Sequence, residues 1–558
     1  MDTAQFQPMI HFIWGVADDL LRDVYVKGKY RDVILPMTVI RRLDVVLSPT
    51  KDRVLETYKK HADASHSAYV ESLLKGPYGS NMGFYNCSNF SLETLCNDPK
   101  NIRVNFENYL DGFSSNIKDI IAKFKFKNQL DTLEDAGILF LVIERFCSPK
   151  VNFSIHPICD KEGNILHEGL SNLGMGYVFE ELIRKFNEEN NEEAGEHFTP
   201  REIIELMNTL VFLPVKDKIK QGTFLIYDNA CGSGGMLTES KIFITDPDGP
   251  IKSKADIRLY GQEINPETYA LCKADMLIKG ENPDNIKYGS TLSDDQLGDL
   301  SFDFMLTNPP YGKSWEKDQK AIGVEKRGTK TECRDPRFAV GITSKSDGQM
   351  MFLLNMLNKM KEDTLLGSRI ASVHNGSSLF NSDSGQVAIR RHIFENDFLE
   401  AIIALPTNMF YNTGIPTFIW ILTNRKPSHK KGKVQLINAT ESFAKMKKSL
   451  GSKQNEITKD HIASIYELFD KCQNSKDSLV LDNEDFGYTK ITIQKPRSTR
   501  ELEQDERFQR LEQKEAILEK LKILESHPKD FADKKDFLSY ITAGGGGGKS
   551  SLKAKKIS

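Results

Sequence analysis

The tetrapeptide Asn308-Pro309-Pro310-Tyr311 brings an amide, two ring-locked backbone units and an aromatic face to one place. The Asn308 side-chain carbonyl and the Pro309 carbonyl can both accept hydrogen bonds, and Tyr311 can stack on a planar ring. Two acceptors converging on an exocyclic amine favour a nitrogen whose lone pair is freed from ring conjugation and aimed in line at an electrophile. The same residues would also serve as a proline turn with Tyr311 as packing. What must position them is the run Phe302-Asp303-Phe304-Met305-Leu306-Thr307. It reads as a short buried strand, and open α/β sheets place ligands at the carboxyl ends of such strands.

A second motif lies upstream. The β-rich run Thr223-Phe224-Leu225-Ile226-Tyr227 leads into Asp228-Asn229-Ala230-Cys231-Gly232-Ser233-Gly234-Gly235, which reads as strand, tight turn and helix start. Glycines there let the backbone take positive φ and approach a ligand closely. The spacing is not G-x-G-x-x-G. An acid at the strand tip would repel a phosphate and favour an ammonium or sulfonium. Ile257-Arg258-Leu259-Tyr260-Gly261-Gln262-Glu263 then ends a second strand with a carboxylate suited to a ribose diol. Taken alone, that carboxylate is equally a solvated strand end.

With these motifs in this order, the chain resembles S-adenosyl-L-methionine-dependent DNA adenine methyltransferases of the amino type, and among them the modification subunits of Type I restriction-modification systems. Gly195-Glu196-His197-Phe198-Thr199-Pro200-Arg201 is similar to the family segment that covers the methionine end of the cofactor. Leu405-Pro406-Thr407-Asn408-Met409-Phe410-Tyr411-Asn412-Thr413-Gly414-Ile415-Pro416-Thr417 resembles the late motif whose aromatic residue flanks a flipped adenine. Similarity extends to Asp347-Gly348-Gln349, Ile389-Arg390-Arg391-His392 and Asp485-Phe486-Gly487-Tyr488, and so reaches from the amino-terminal region to about residue 495.

The resemblance implies a base pocket of Asn308, Pro309, Pro310, Tyr311 and Phe410, with Tyr311 and Phe410 sandwiching an adenine extruded from double-stranded DNA. It implies a cofactor site of His197, Phe198, Thr199, Pro200, Asp228, Cys231, Gly232, Ser233, Gly234, Glu263 and Ser290. Direct methyl transfer to N6 then requires no metal and no covalent intermediate. The partners it implies are a specificity subunit, a second modification subunit and, in some systems, a restriction nuclease subunit. Two departures stand out. Ser290 occupies the position after Gly289 where many relatives carry Asp or Asn, and His374 sits where an apolar residue would serve. His374 is read as a packed residue without a role.

The chain has 558 residues, 39% of them hydrophobic, which is enough for a sizeable core. It has no apolar run near 18 residues and no signal-like start, so the expected location is cytoplasmic. The eight cysteines form no C-x-x-C pair and are expected to be reduced thiols, with Cys231 a small residue that fits its turn. A net charge of −3 is awkward for gripping DNA alone, so positive charge must be local or borrowed. Residues 313–346 carry nine Lys or Arg against five Asp or Glu, which reads as a basic loop for backbone contacts or as a solvated one. Arg22, Lys27, Lys29, Arg31, Arg41 and Arg42 form a second cluster, facing DNA or solvating helix ends.

Helical periodicity marks residues 1–165 as an amino-terminal helical domain. From 166 to 475, strand-like runs such as Leu399-Glu400-Ala401-Ile402-Ile403-Ala404-Leu405 alternate with helices, which predicts an α/β, Rossmann-like methyltransferase core. Residues 476–558 read as a carboxy-terminal helical segment and flexible tail for subunit assembly. The stripe Leu511, Leu518, Leu521, Leu524 is too thin for a core and suits docking on a partner. Two other functions fit parts of this pattern: a protein or small-molecule N-methyltransferase, and a non-catalytic cofactor-binding scaffold for DNA.

Overall fold

The computed structural model describes residues 6–61, 68–189, 198–327, 330–411, 413–450 and 452–487, and further on residues 503, 504, 515, 518, 519 and 522. The chain divides into a compact unit, Met1–Phe486, and a second unit, Gly487–Ser558. In the second, Leu518 is helical and half-buried and Lys522 pairs with Glu503 at 3.6 Å. Leu511, Leu521, Leu524 and the glycine-rich tail lie outside the described residues.

The first unit opens with α1 (Gln7–Leu20), α2 (Arg31–Leu47) and shorter helices up to Leu139–Phe146. A hairpin of Ile158–Cys159 with Ile165–His167 precedes α3 (Asn172–Glu189), after which come α4 (Arg201–Phe212), α5 (Gly235–Thr245) and α6 (Pro266–Lys279). The ends of α6 follow from its sequence. Asn265 Oδ1 accepts from the N–H groups of Glu267 and Thr268, Pro266 presets the first turn, and Gly280 at φ 79° ends the helix.

Nine strands form the central sheet: β1 (Thr223–Asp228), β2 (Asp256–Glu263), β3 (Ile286–Tyr288), β4 (Phe304–Thr307), β5 (Arg369–Asn375), β6 (Leu399–Ala404), β7 (Thr417–Thr423), β8 (Lys433–Asn438) and β9 (Ser478–Asp482), in the order β9-β8-β6-β7-β5-β4-β1-β2-β3. Strands β3, β2, β1, β4 and β5 run parallel, while β7 lies antiparallel between β5 and β6. Side chains alternate between two apolar layers. Ile226, Phe304, Leu306, Val373 and Ile403 pack on one face, and Tyr227, Met305, Ile370, Ile402 and Trp420 on the other. The chain runs outward from β1 to β3 and then returns to β4 on β1's other side. The carboxyl ends of β1 and β4 therefore flank the point where strand order reverses.

The expected boundaries shift. The sheet takes its last strand from Ser478–Asp482, past residue 475; that strand is short and half-exposed, with an apolar run of only three residues, Leu479-Val480-Leu481. At the other boundary, α3 and the Ala270, Ala274, Leu277 and Ile278 face of α6 complete the same apolar core as α1 and α2. The amino-terminal helices thus do not end their packing at residue 165. The Arg41 and Arg42 expectation is also corrected. Arg41 pairs with Asp44 (3.2 Å) and Glu93 (2.9 Å), and Arg42 donates to the Leu170 carbonyl (3.0 Å) and Asn172 Oδ1 (2.9 Å). Both are buried, and burial pulls Arg42 down to about 10. Among the described residues, no helix is long and apolar enough to cross a membrane.

Candidate active site

A cavity of about 500 Å³ opens at the carboxyl ends of β1, β2 and β4. Of the residues singled out above, Phe198, Thr199, Asp228, Cys231, Gly232, Ser233, Glu263, Ser290, Asn308, Pro309, Pro310 and Tyr311 line it. Parallel strands put all their carboxyl ends on one edge, which is why motifs distant in sequence converge. Pro200 instead starts α4, its carbonyl accepting from the Ile203 and Ile204 N–H groups. Gly234 lies behind the wall at φ 87°, where a Cβ would meet Cys272 Sγ at 2.7 Å, so both its conformation and its packing require glycine. His197 lies outside the described residues.

Phe410 departs from its expected place at the base. It is only 2% exposed, packs in the apolar layer with Met409 and Leu405, and is not among the residues lining the cavity. The chain turns inward there, and its continuation brings Thr413 and Ile415 to the cavity instead. Tyr411 lies edge-on to Phe198, ring centroids 5.7 Å apart.

Asn308 follows β4 directly and lines the cavity. Its Nδ2 donates to Thr199 Oγ1 (3.1 Å), while its Oδ1 is buried with no hydrogen-bond partner among the described residues. Tyr311 follows, its phenol pushed up to about 12 by burial and therefore neutral. At the tip of β1, Asp228 Oδ1 accepts from Thr307 Oγ1 (2.7 Å) and the Ala230 N–H (3.0 Å). Burial raises its carboxyl to about 7 against those two hydrogen bonds, with the nearby Glu263 charge adding to the rise. At the tip of β2, Glu263 Oε2 accepts from the Gly232 N–H (3.0 Å) and Oε1 from the Asn265 N–H (2.8 Å). Glu263 thereby ties the glycine turn to its own strand while still facing the cavity. A carboxylate offers about four acceptor positions, so capacity remains for a ligand's hydroxyls.

Past β3, Ser290 Oγ donates to Asp318 Oδ1 (2.6 Å), and Asp318 lines the cavity. Sequence reading missed Asp318, because nothing in the chain between marks a contact 28 residues away. It also missed Thr307, although that residue adjoins Asn308. Another wall carries Glu180 of α3 and Arg201 of α4, which pair with each other, while Lys279 of α6 bonds Glu180 at 2.5 Å.

The segment 313–346 is folded over much of its length. Trp315 and Phe338 are buried, Trp315 Nε1 donates to the Ser344 carbonyl (2.8 Å), and Arg337 donates to the carbonyls of Thr291 and Leu292 (2.8 Å each) and pairs with Asp295 (3.0 Å). Part of its positive charge is thus internal. His374 is fully buried. Its Nδ1 lies 3.1 Å from Gln349 Oε1, and burial lowers its pKa to about 3, which keeps it neutral and structural.

Residues 171–495 match the family described as N-6 DNA Methylase, and residues 9–146 match the HsdM N-terminal domain. The chain is 28% identical over 321 residues to the Type I restriction enzyme MjaIX methylase subunit of Methanocaldococcus jannaschii, covering 57% of this chain and 52% of that protein. It is 28% identical over 315 residues to the Type I restriction enzyme HindI methylase subunit of Haemophilus influenzae, covering 56% of this chain and 63% of that one. These alignments span between half and two thirds of the relatives' own length. The fold is shared with a type I restriction-modification system methyltransferase subunit from Streptococcus thermophilus: TM-score 0.61, 21% identity, 86% of this chain and 96% of that one covered.

Proposed function

The chain belongs to the N-6 DNA methylase family, and we propose that it transfers a methyl group from S-adenosyl-L-methionine to the N6 amine of adenine in double-stranded DNA. The observation that carries this reading is the Asn308 amide. Its nitrogen is anchored on Thr199, and its oxygen is buried beside the cavity without a partner among the described residues. A buried acceptor left unsatisfied costs about 1–3 kcal/mol, and that cost is recovered when a ligand supplies a donor.

The residues present fit the cofactor. Glu263 has acceptor capacity for a ribose diol, the Gly232–Ser233 backbone allows close approach, and Asp228 offers negative charge to a cationic centre. Phe198 and Thr199 form the wall for the methionine end. When bound, S-adenosyl-L-methionine supplies an electrophilic methyl group on a sulfonium. The chain's own residues do the rest. Tyr311 stacks on the extruded base, which is otherwise paired and out of reach. Asn308 Oδ1 and the Pro309 carbonyl accept the two N–H bonds of the amine, freeing its lone pair and aiming it. Thr413 and Ile415 face the base from the loop that Phe410 anchors in the core.

The chain acts as the modification subunit of a Type I restriction-modification complex in the cytoplasm. A specificity subunit reads the DNA sequence, with a second modification subunit and, in some complexes, a restriction nuclease subunit. The net charge of −3 and the internal pairing of Arg41, Arg42 and Arg337 support a need for partners in gripping DNA. The test is transfer of tritiated methyl from S-adenosyl-L-methionine to DNA. The chain with a specificity subunit should methylate adenine at one defined sequence, and the chain alone should not. Asn308→Ala should lower the rate by roughly 10²–10⁴-fold with S-adenosylhomocysteine affinity within about threefold of wild type. Affinity lost in step with rate would remove Asn308 from this role.

A further inference from the structure

We propose that Asp318 is a cofactor-binding residue whose carboxylate accepts a hydrogen bond from the exocyclic amine of the cofactor's adenine, making the pocket discriminate against a 6-keto purine. The inference rests on the cofactor reading above and adds to it the group that selects the base. The strand order β3-β2-β1-β4 lays the motif residues out in a line across the cavity: Asn308 after β4, Asp228 on β1, Glu263 on β2, Ser290 past β3. With the reacting centre beside Asn308 and the ribose on Glu263, the base extends outward over the end of β3. The wall there is made by Ile264, Ser290 and Asp318. Ile264 is 60% exposed, an apolar side chain for a flat ring to cover.

Asp318 reaches this wall from the helix Glu316–Ala321. Ser290 Oγ and Ser293 Oγ both donate to the same oxygen, Oδ1, at 2.6 Å each. A hydroxyl has one proton to give, so both serines are committed to orienting the carboxylate and neither is left to donate to a base. Among the described residues none donates to Oδ2, which remains as the acceptor. An ionised carboxylate accepts and cannot donate, so it takes an NH₂ group and repels a carbonyl oxygen.

The test is calorimetric titration of the full-length chain with S-adenosylhomocysteine and S-inosylhomocysteine, which differ in that amine. Wild type should favour the adenosyl ligand by roughly 10- to 100-fold. In Asp318→Asn the preference should fall to within about threefold, because an amide can turn either its N–H or its carbonyl to the ring; Asp318→Ala should lose it too. A preference unchanged in both variants reduces Asp318 to a support for the turn and overturns the proposal. Wild type that binds neither ligand removes the cofactor reading itself. Should both variants fail to fold, Ser290→Ala combined with Ser293→Ala frees the carboxylate from its aim. The preference should then narrow by about threefold, and an unchanged preference overturns the proposal.

Discussion

Two sets of buried polar groups sit on the same sheet and are arranged in opposite ways. Along the strands, Glu400 of β6 is closed off. Its Oε2 pairs with Arg369 of β5 at 2.7 Å and its Oε1 with Lys430 at 3.0 Å. Burial alone would raise that carboxyl, but the two cations outweigh it and hold it below its ordinary value. At the strand ends, Asn308 Oδ1 and Asn229 Oδ1 are buried without partners among the described residues, and Asp228 is raised to about 7 with no cation against it. A buried group whose oxygens are all paired, as in Glu400, holds strands together and has nothing left for a ligand. One left open costs stability and keeps its hydrogen-bonding capacity for binding.

The contrast is broken most severely at its closed end. Glu400→Ala leaves Arg369 and Lys430 facing each other in the interior. It should cost about 3–5 kcal/mol in urea unfolding, while the fraction that remains folded binds S-adenosylhomocysteine as wild type does. At the open end, Glu263→Ala should lower S-adenosylhomocysteine affinity by roughly 10- to 100-fold in calorimetry, since both the glycine turn and the ribose contacts depend on it. Unchanged affinity would separate the cavity from the cofactor.

A subtler difference lies in protons. With its folded pKa raised from 3.8 to about 7, Asp228 holds a proton in the native state that the unfolded chain has released. Its contribution to stability is therefore present below the unfolded value and fades as pH rises toward about 7. A cationic ligand favours the ionised form. Cofactor affinity should then rise with pH by up to about tenfold per unit between roughly pH 5 and 7. Binding near pH 6 should release close to one proton, measured by calorimetry in buffers of different ionisation enthalpy, and Asp228→Asn should abolish the release. Glu400, with its carboxyl held low, adds nothing in this window. The smallest expected effect belongs to Phe410→Leu, at about 1–1.5 kcal/mol of stability with the methylation rate within roughly threefold of wild type. A large loss of rate at unchanged stability would return Phe410 to the base.

Strands β1 and β4 were legible because parallel strands covered on both faces read as unbroken apolar runs, here ending in Asp228 and Thr307. Strand β9 was not, since this edge strand is short and offers only the three apolar residues Leu479, Val480 and Leu481, all partly or fully exposed. Arg41 and Arg42 misled because helical periodicity does not show what a side chain meets; here Arg41 meets Glu93, and Arg42 meets Leu170 and Asn172. Motif likeness located the segment holding Phe410, but the inward turn of the chain at that residue decided its burial. Asp318 had no signature, because what matters about it is a distance in space.

Helix α6 has two apolar faces. Ala270, Ala274, Leu277 and Ile278 close the core of the amino-terminal helices, while Cys272 and Met276 back the glycine turn. During synthesis this sets a timetable. Some 250 residues separate α1 from α6, so at ~5–20 residues per second the first helices to leave the ribosome wait roughly 10–50 s for the segment that completes their core. That same segment also backs the glycine turn, so completion of the amino-terminal core and support of the cofactor loop depend on one helix.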